Sequence, residues 1–277
     1  MKNEKTELCL CTCSTDPGKM NPERNPYEVT ADSFTGLVRS RNEDSFAYAW
    51  DESGKNLLAA VADGIGSTRN GDIASDSVLR MLVQAWRKLK PSGSNRNQCG
   101  VFRNFLCRQF HEINRRLYEI NMVTADVQKQ KSLGTTLTCA VFQNNAMVAV
   151  NAGDTPLFRI RDGEIRQLTF DHNLTNELIR SGQLSRMEAE SLPQGRMLTR
   201  FIGPMNSVEP ECYYSDVRKG DSFLLCSDGL TYHVKPEEIC EIVTGEENIS
   251  EAVKILFRRT LYRGASDNAT LILVRAV

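Results

Sequence analysis

The chain has 277 residues, 40% of them hydrophobic and 25% charged, with a formal net charge of −1. That balance is ordinary for a soluble globular protein and gives no footing for a nucleic-acid surface. No apolar run approaches the ~20 residues of a membrane helix, and the length suits one large domain or two small ones.

Residues 1–28 are polar and broken by Pro17, Pro22 and Pro26, so they read as a disordered extension. They lack the apolar stretch of a signal peptide. The expected location is therefore the cytoplasm, and the nine cysteines are expected as free thiols. Cys9, Cys11 and Cys13 alternate within this tail, while Cys139, Cys226 and Cys240 sit among apolar residues and read as core.

Residues 29–277 are expected to form one globular domain. Residues 34–38 and 46–50 read as strands around the charged segment Arg39 to Asp44. A turn at 51–55 leads into a third strand at 57–62. Over 71–89, Val78, Leu79, Leu82, Val83, Trp86 and Leu89 recur at helical spacing. A Ser/Asn/Gly loop follows at 91–100. A second amphipathic helix spans 101–122, with His111 beside its apolar stripe and read as structural. After a polar linker at 124–132 the period changes to two. Strands are expected at 136–142, 147–150, 157–160 and 165–168, turning at Asn144-Asn145 and Asp162-Gly163, as one antiparallel meander.

Residues 171–207 are long and irregular, as functional loops often are. A short helix at 174–181 ends at Gly182, and Ser185 with Glu188 spells a capping box. Strands resume at 212–214 and 222–226. Pro236 opens a helix over 237–243, a last helix over 250–263 ends at Gly264, and a strand at 270–274 follows. The short hairpins require antiparallel pairing, and no regular β-α-β alternation runs through the chain. The fold class is α+β, with two antiparallel sheets covered by helices.

Three acidic stretches stand out: Val61-Ala62-Asp63-Gly64, Cys226-Ser227-Asp228-Gly229 and Ser266-Asp267-Asn268. Each sets an aspartate where an apolar run meets a turn. If those strands are neighbours, three carboxylates converge and call for a positive charge between them. Three scattered histidines, His111, His172 and His233, make a histidine-rich zinc site hard to build. Hard oxygen donors favour Mg²⁺ or Mn²⁺. The alternative is that each Asp-Gly merely caps a strand.

Several phosphate chemistries fail on inspection. The chain has no P-loop, no nucleophile elbow and no Asp-x-Asp. Cys212 and Arg218 stand in C-x5-R spacing but lack a glycine-rich cradle. Arg39, Glu43 and Asp44 bring a guanidinium and two carboxylates to one junction. A guanidinium can hold a phosphate through paired hydrogen bonds, although pairing of Arg39 with Glu43 or Asp44 on the surface is the plainer alternative.

Taken in order, these motifs resemble the protein phosphatase 2C family of metal-dependent protein serine/threonine phosphatases, in its compact bacterial form. The resemblance rests on Gly36-Leu37-Val38-Arg39-Ser40-Arg41-Asn42-Glu43-Asp44, Val61-Ala62-Asp63-Gly64-Ile65-Gly66 and Gly71-Asp72-Ile73-Ala74-Ser75. It continues through Leu133-Gly134-Thr135-Thr136, Asn151-Ala152-Gly153-Asp154, Asp171-His172, Leu198-Thr199-Arg200, Ser227-Asp228-Gly229 and Ser266-Asp267-Asn268. The family implies a four-layer α/β/β/α sandwich, two antiparallel sheets flanked by helix pairs. It implies two Mn²⁺ or Mg²⁺ ions held by Asp63, the Gly64 carbonyl, Asp228, Asp267 and Glu43. Asp44 would orient a water, Arg39 would hold the phosphate, and Asp63 would sit at the centre of catalysis. A metal-bridging hydroxide would attack phosphoserine or phosphothreonine. Residues 171–207 would be the family's flap. Implied partners are phosphorylated proteins, the substrates of Ser/Thr kinases, met by a monomer in signalling. The alternative class is a pseudophosphatase acting as a binding module, marked by loss of a metal-binding aspartate; Asp63, Asp228 and Asp267 are all present.

The chain departs from the family at Ile65, Ser67 and Thr68, at Asp72 in place of Glu, and at Pro156 in place of Arg. Residues 128–133 carry no acid and Asp126 lies further back, so a third ion is not assigned.

Overall fold

The computed structural model describes residues 25–65, 70–90, 98–128 and 132–277. The expected tail at 1–24 with Cys9, Cys11 and Cys13, the departures Ser67 and Thr68, most of the 91–100 loop and the side chain of Asp126 lie outside the described residues. The chain opens with β1 (Tyr27–Phe34), β2 (Asp44–Trp50) and β3 (Asn56–Asp63), then α1 (Gly71–Lys88) and α2 (Gln98–Gln128). Four strands follow: β4 (Leu137–Gln143), β5 (Ala146–Ala152), β6 (Leu157–Arg161) and β7 (Glu164–Gln167). Two short helices, α3 (Leu174–Arg180) and α4 (Arg186–Glu190), precede β8 (Glu211–Asp216) and β9 (Ser222–Cys226). The chain closes with α5 (Asp228–Thr231), α6 (Pro236–Gly245), α7 (Ile249–Tyr262) and β10 (Ala269–Ala276).

The strands form two five-stranded sheets, ordered β1-β10-β9-β6-β7 and β2-β3-β4-β5-β8, and the paired neighbours run antiparallel. Side chains alternate across each sheet, so a strand covered on both faces reads as a solid apolar run. β3 shows this. Leu57, Ala59 and Val61 pack between the sheets with Phe142, Phe223 and Ile272, while Leu58, Ala60 and Ala62 share the core beneath α1 and α2 with Val78, Leu82 and Leu106. On the opposite side, α6 and α7 cover the first sheet through Ile239, Val243 and Leu256 over Leu224 and Leu273. Three apolar layers thus separate four layers of structure, and the α/β/β/α sandwich is observed. Among the described residues no helix is long and apolar enough to cross a membrane.

Three expectations need correction. The first strand is Tyr27–Phe34, not 34–38. Gly36 has φ +82°, and any Cβ there would strike the Asp267 carbonyl oxygen, so the chain leaves the sheet at that point. The order also begins ahead of the expected limit at 28: Tyr27 is 3% exposed, its hydroxyl donates to the Asn144 carbonyl at 2.6 Å, and its ring packs on Phe142. Second, the meander is split. β4 pairs with β5 and β6 with β7, but β5 and β6 belong to different sheets. Gly153, at φ +131°, starts the crossing, and Thr138 Oγ1 donates to the Thr155 carbonyl at 2.6 Å to satisfy its buried backbone. Third, α2 runs through the start of the expected linker to Gln128, and Thr124 Oγ1 donates to the Ile120 carbonyl at 2.9 Å within it. The capping box at Ser185 and Glu188 is formed as expected.

Tyr27→Ala removes a buried ring and a hydrogen bond, and should lower the unfolding free energy by about 3–5 kcal/mol. A denaturant midpoint within error of wild type would show that β1 contributes nothing at this end.

Candidate active site

The pairing of β2 with β3 sets Asp44 opposite Asp63 at the open end of that hairpin. The Asp63 backbone is fixed from β4: its N–H donates to Thr136 Oγ1 at 2.9 Å, and its carbonyl accepts from the Thr136 N–H and the Thr135 hydroxyl, each at 2.8 Å. Gly64 follows because two other backbones pass there. A Cβ at Gly64 would run into the Gly71 carbonyl at the start of α1 and lie 2.6 Å from the Glu43 oxygen. The glycine is therefore a crossing point that keeps Glu43 beside Asp63, more than a turn residue.

The other two aspartates come from the opposite sheet. β9 ends at Cys226 and places Asp228 in the first turn of α5; β10 begins just after Asp267. A side chain at Gly229 would collide with the Asn268 carbonyl, so these two loops also touch. Asn268 ties the arrangement together. Its Nδ2 donates to the Thr35 and Arg41 carbonyls at 2.8 and 2.9 Å, and its Oδ1 accepts from the Glu43 N–H at 2.9 Å. The segment carrying Arg39 and Glu43 is thereby held against Asp267. Across the sheets, Ser227 Oγ donates to Asp44 Oδ2 at 2.7 Å.

Of the expected site residues, Arg39, Glu43, Asp63, Gly64, Asp228 and Asp267 line one cleft of about 190 Å³. Asp44 lies beneath it, 7% exposed. Arg39 does not pair with Glu43 or Asp44; its Nη2 donates to Asp267 Oδ2 at 2.7 Å. Both partners are more than a third exposed, so the pair is worth only about 0–1 kcal/mol and yields readily to a better ligand. C-x5-R forms no phosphate site, since Arg218 pairs with Asp216 and the Cys212 sulfur faces Cys107.

The electrostatics follow from burial and like charge. Burial, with Asp228 nearby, pushes Asp44 up to about 7 against hydrogen bonds from Ser227 and Thr270. Burial and then Asp44, Asp228 and Asp154 push Asp63 far above the carboxylate range. Asp228 rises for the same reasons. Two carboxylates absent from the expected set join them: Asp154 is raised to about 8 and Asp171 to about 7, each mainly by burial. Asp154 lines the cleft, as do Thr136 and Arg196. Asp154 shares part of the local signature of the other aspartates: it stands where the apolar strand β5 meets a turn, although its glycine, Gly153, precedes it. Arg196 has no local signal; it comes from the segment after α4, and its guanidinium lies 4.6 Å above the Tyr232 ring.

The donor set fits small, hard divalent cations: a backbone carbonyl and carboxylates that outnumber the arginines, Arg39 and Arg196, lining the same cleft. Among the described residues no group of three His, Cys, Asp or Glu side chains is arranged to hold a metal as it stands. Asp267 is turned onto Arg39.

Beside the cleft, the segment 171–207 hangs on Glu211 of β8. Burial opposes its charge, but Arg180 and Tyr213 outweigh this and hold Glu211 down to about 2. Arg180 and Arg200 donate to Glu211 Oε1 at 2.7 and 2.8 Å. Burial and then Arg200 push His172 down to about 4, so it is neutral and its Nδ1 accepts from the Gly153 N–H at 3.1 Å.

The sequence profile of the family described as Protein phosphatase 2C matches residues 38–267. The chain belongs to the protein phosphatase 2C family. It is 31% identical over 239 residues to the serine/threonine phosphatase stp of Listeria innocua, covering 86% of this chain and 92% of that protein. The Streptococcus agalactiae serine/threonine phosphatase structure superposes with a TM-score of 0.81 at 30% identity, covering 91% of this chain and 100% of that one. The catalytic domain of the phosphatase PstP, solved in complex with two manganese ions, superposes at 0.73 with 29% identity, covering 91% of this chain and 98% of that one. At this identity and coverage the chain is a protein serine/threonine phosphatase.

Raised carboxylate pKa values make the phosphatase pH-sensitive when its cations are chelated. Folded values of about 7 to 8 lie above the ordinary 3.8, so these groups favour the folded state most at low pH. Their contribution is lost progressively as pH rises above the ordinary 3.8 and is gone above about 7 to 8. In EDTA the melting temperature should fall across that window, and saturating Mn²⁺ should flatten the slope. Equal slopes with and without Mn²⁺ would separate the carboxylates from the cation.

Proposed function

We propose that the cleft hydrolyses phosphoserine and phosphothreonine in proteins with the help of two divalent cations, Mn²⁺ or Mg²⁺. The observation that carries this reading is the convergence of Asp63, Asp228 and Asp267, from two sheets, on one cleft beside Arg39. Asp63, the Gly64 carbonyl, Asp228, Asp267 and Glu43 would hold the cations. Once bound, such ions acidify water for attack and offset the charge that develops on phosphorus and its oxygens. The side chains do the rest. Arg39 exchanges Asp267 for the phosphoryl oxygens, whose paired geometry suits a guanidinium better. Asp44, fixed by Ser227, orients water beside Asp63. Thr135 and Thr136 keep the Asp63 backbone from yielding to repulsion. The segment 171–207, flanking the cleft with Arg196 and Leu198, meets the peptide around the phosphoresidue. Its substrates would be products of Ser/Thr kinases, and it would work as a monomer in cytoplasmic signalling.

The decisive assay follows hydrolysis of p-nitrophenyl phosphate and of a phosphothreonine peptide with EDTA, Mg²⁺ or Mn²⁺, and melting in the same samples. Cation-dependent turnover with a raised melting temperature is expected, because an ion bound by the native state alone stabilises it. A cation-dependent rise without turnover would select a binding module instead. Asp63→Ala should cut turnover by ~100-fold or more while the fold survives. Arg39→Ala should raise KM for the phosphopeptide by ~10-fold or more, the value of a charge-assisted hydrogen bond. An unchanged KM would remove Arg39 from the phosphate.

A further inference from the structure

Away from the cleft, two thiols stand against each other. Cys107 on α2 and Cys212 on β8, 105 residues apart in sequence, bring their sulfurs to 3.1 Å. Both are free, half-buried and packed against the core between the second sheet and its helices. Arg103, one turn earlier on α2, hydrogen-bonds the Cys212 sulfur and faces Cys107 as well. A third thiol, Cys139, lies close by with no exposed surface. Bonded sulfurs sit ~2.05 Å apart, so a relative shift of about 1 Å closes this pair.

Position gives the pair a consequence. β8 is the edge of its sheet and has one strand partner, β5. Glu211, which holds Arg180 and Arg200 of the segment beside the cleft, is the residue next to Cys212. A bond from Cys212 to α2 would give this strand a second attachment at the residue adjoining the anchor.

We propose that Cys107 and Cys212 form an oxidisable dithiol site, converted by hydrogen peroxide to a disulfide that fastens the strand anchoring the flap. The sulfur of one thiol attacks the peroxide O–O bond, giving a sulfenic acid and one water. The second sulfur displaces the hydroxyl of the sulfenic acid, forming the S–S bond and a second water. Two thiols are oxidised, one peroxide is reduced, and both thiol protons end in water. Burial and the contact with Cys212 push the Cys107 thiol up to about 12. Arg103 lies against Cys212, which places the attacking sulfur there and leaves Cys107 to resolve it.

The test treats the full chain with hydrogen peroxide, blocks remaining thiols by alkylation and maps peptides by mass without reduction. A Cys107–Cys212 cross-linked peptide is expected, lost with dithiothreitol and absent from Cys107→Ser and Cys212→Ser. Hydrogen exchange over residues 211–216 should slow in the oxidised wild type and stay unchanged in peroxide-treated Cys107→Ser. Sulfinic or sulfonic acid at either position without a cross-link, or pairing with Cys99 or a tail cysteine instead, overturns the site. A mapped cross-link with unchanged exchange overturns the clamp. Neither readout needs phosphatase activity, so the site stands or falls apart from the proposed reaction.

Discussion

Carboxylates repel one another, and this fold drives several of them to the same end of two packed sheets. Two like unit charges 4 Å apart at an effective dielectric of 20 repel by about 4 kcal/mol, against a total stability of about 5–15 kcal/mol for a typical domain. The surroundings must therefore over-determine the position of each group. They do so with solid apolar strands behind Asp63 and Asp228 and with backbone crossings that only glycine permits, at Gly64 and Gly229. Burial and this mutual repulsion together hold Asp44, Asp63, Asp154 and Asp228 above the ordinary carboxylate range.

Polar contacts also join the two sheets at the cleft. Ser227 reaches across to Asp44, and Asn268 holds three backbone groups of the segment between β1 and β2. These groups are buried or half-buried, so each unmade bond would leave a desolvated partner. Sheet packing and site geometry are thus one problem: a slip between the sheets would separate Asp63 from Asp228 and Asp267.

The segment 171–207 beside the cleft is built on different terms. Its anchor is a cluster of arginines and a histidine around Glu211, partly open to solvent and set on an edge strand. Such a base yields more easily than the sheet ends do. The cleft thus has a rigid acidic floor and a looser wall. That contrast explains why a covalent tie near Glu211 would matter while leaving the floor untouched.

How much of this was legible in the chain follows from how local each signal is. The apolar runs of β3, β4, β9 and β10, the helical stripe of α1 and the box at Ser185 and Glu188 depend on neighbours within a few residues, and all are where the pattern placed them. The acidic mouths at Asp63, Asp228 and Asp267 were legible for the same reason, as was their family. β1 was not, because an edge strand that is mostly half-buried carries Thr30 and Asp32 between its apolar positions, and the run after it looked better. Nor could periodicity show that β5 and β6 part company, since a hairpin and a crossing between sheets have the same alternation on either side. Arg39 on Asp267, Arg196 at the cleft, Asp154 among the carboxylates and Cys107 against Cys212 all join residues far apart in sequence. Those meetings are set by sheet order and layer packing, which no window of the chain contains.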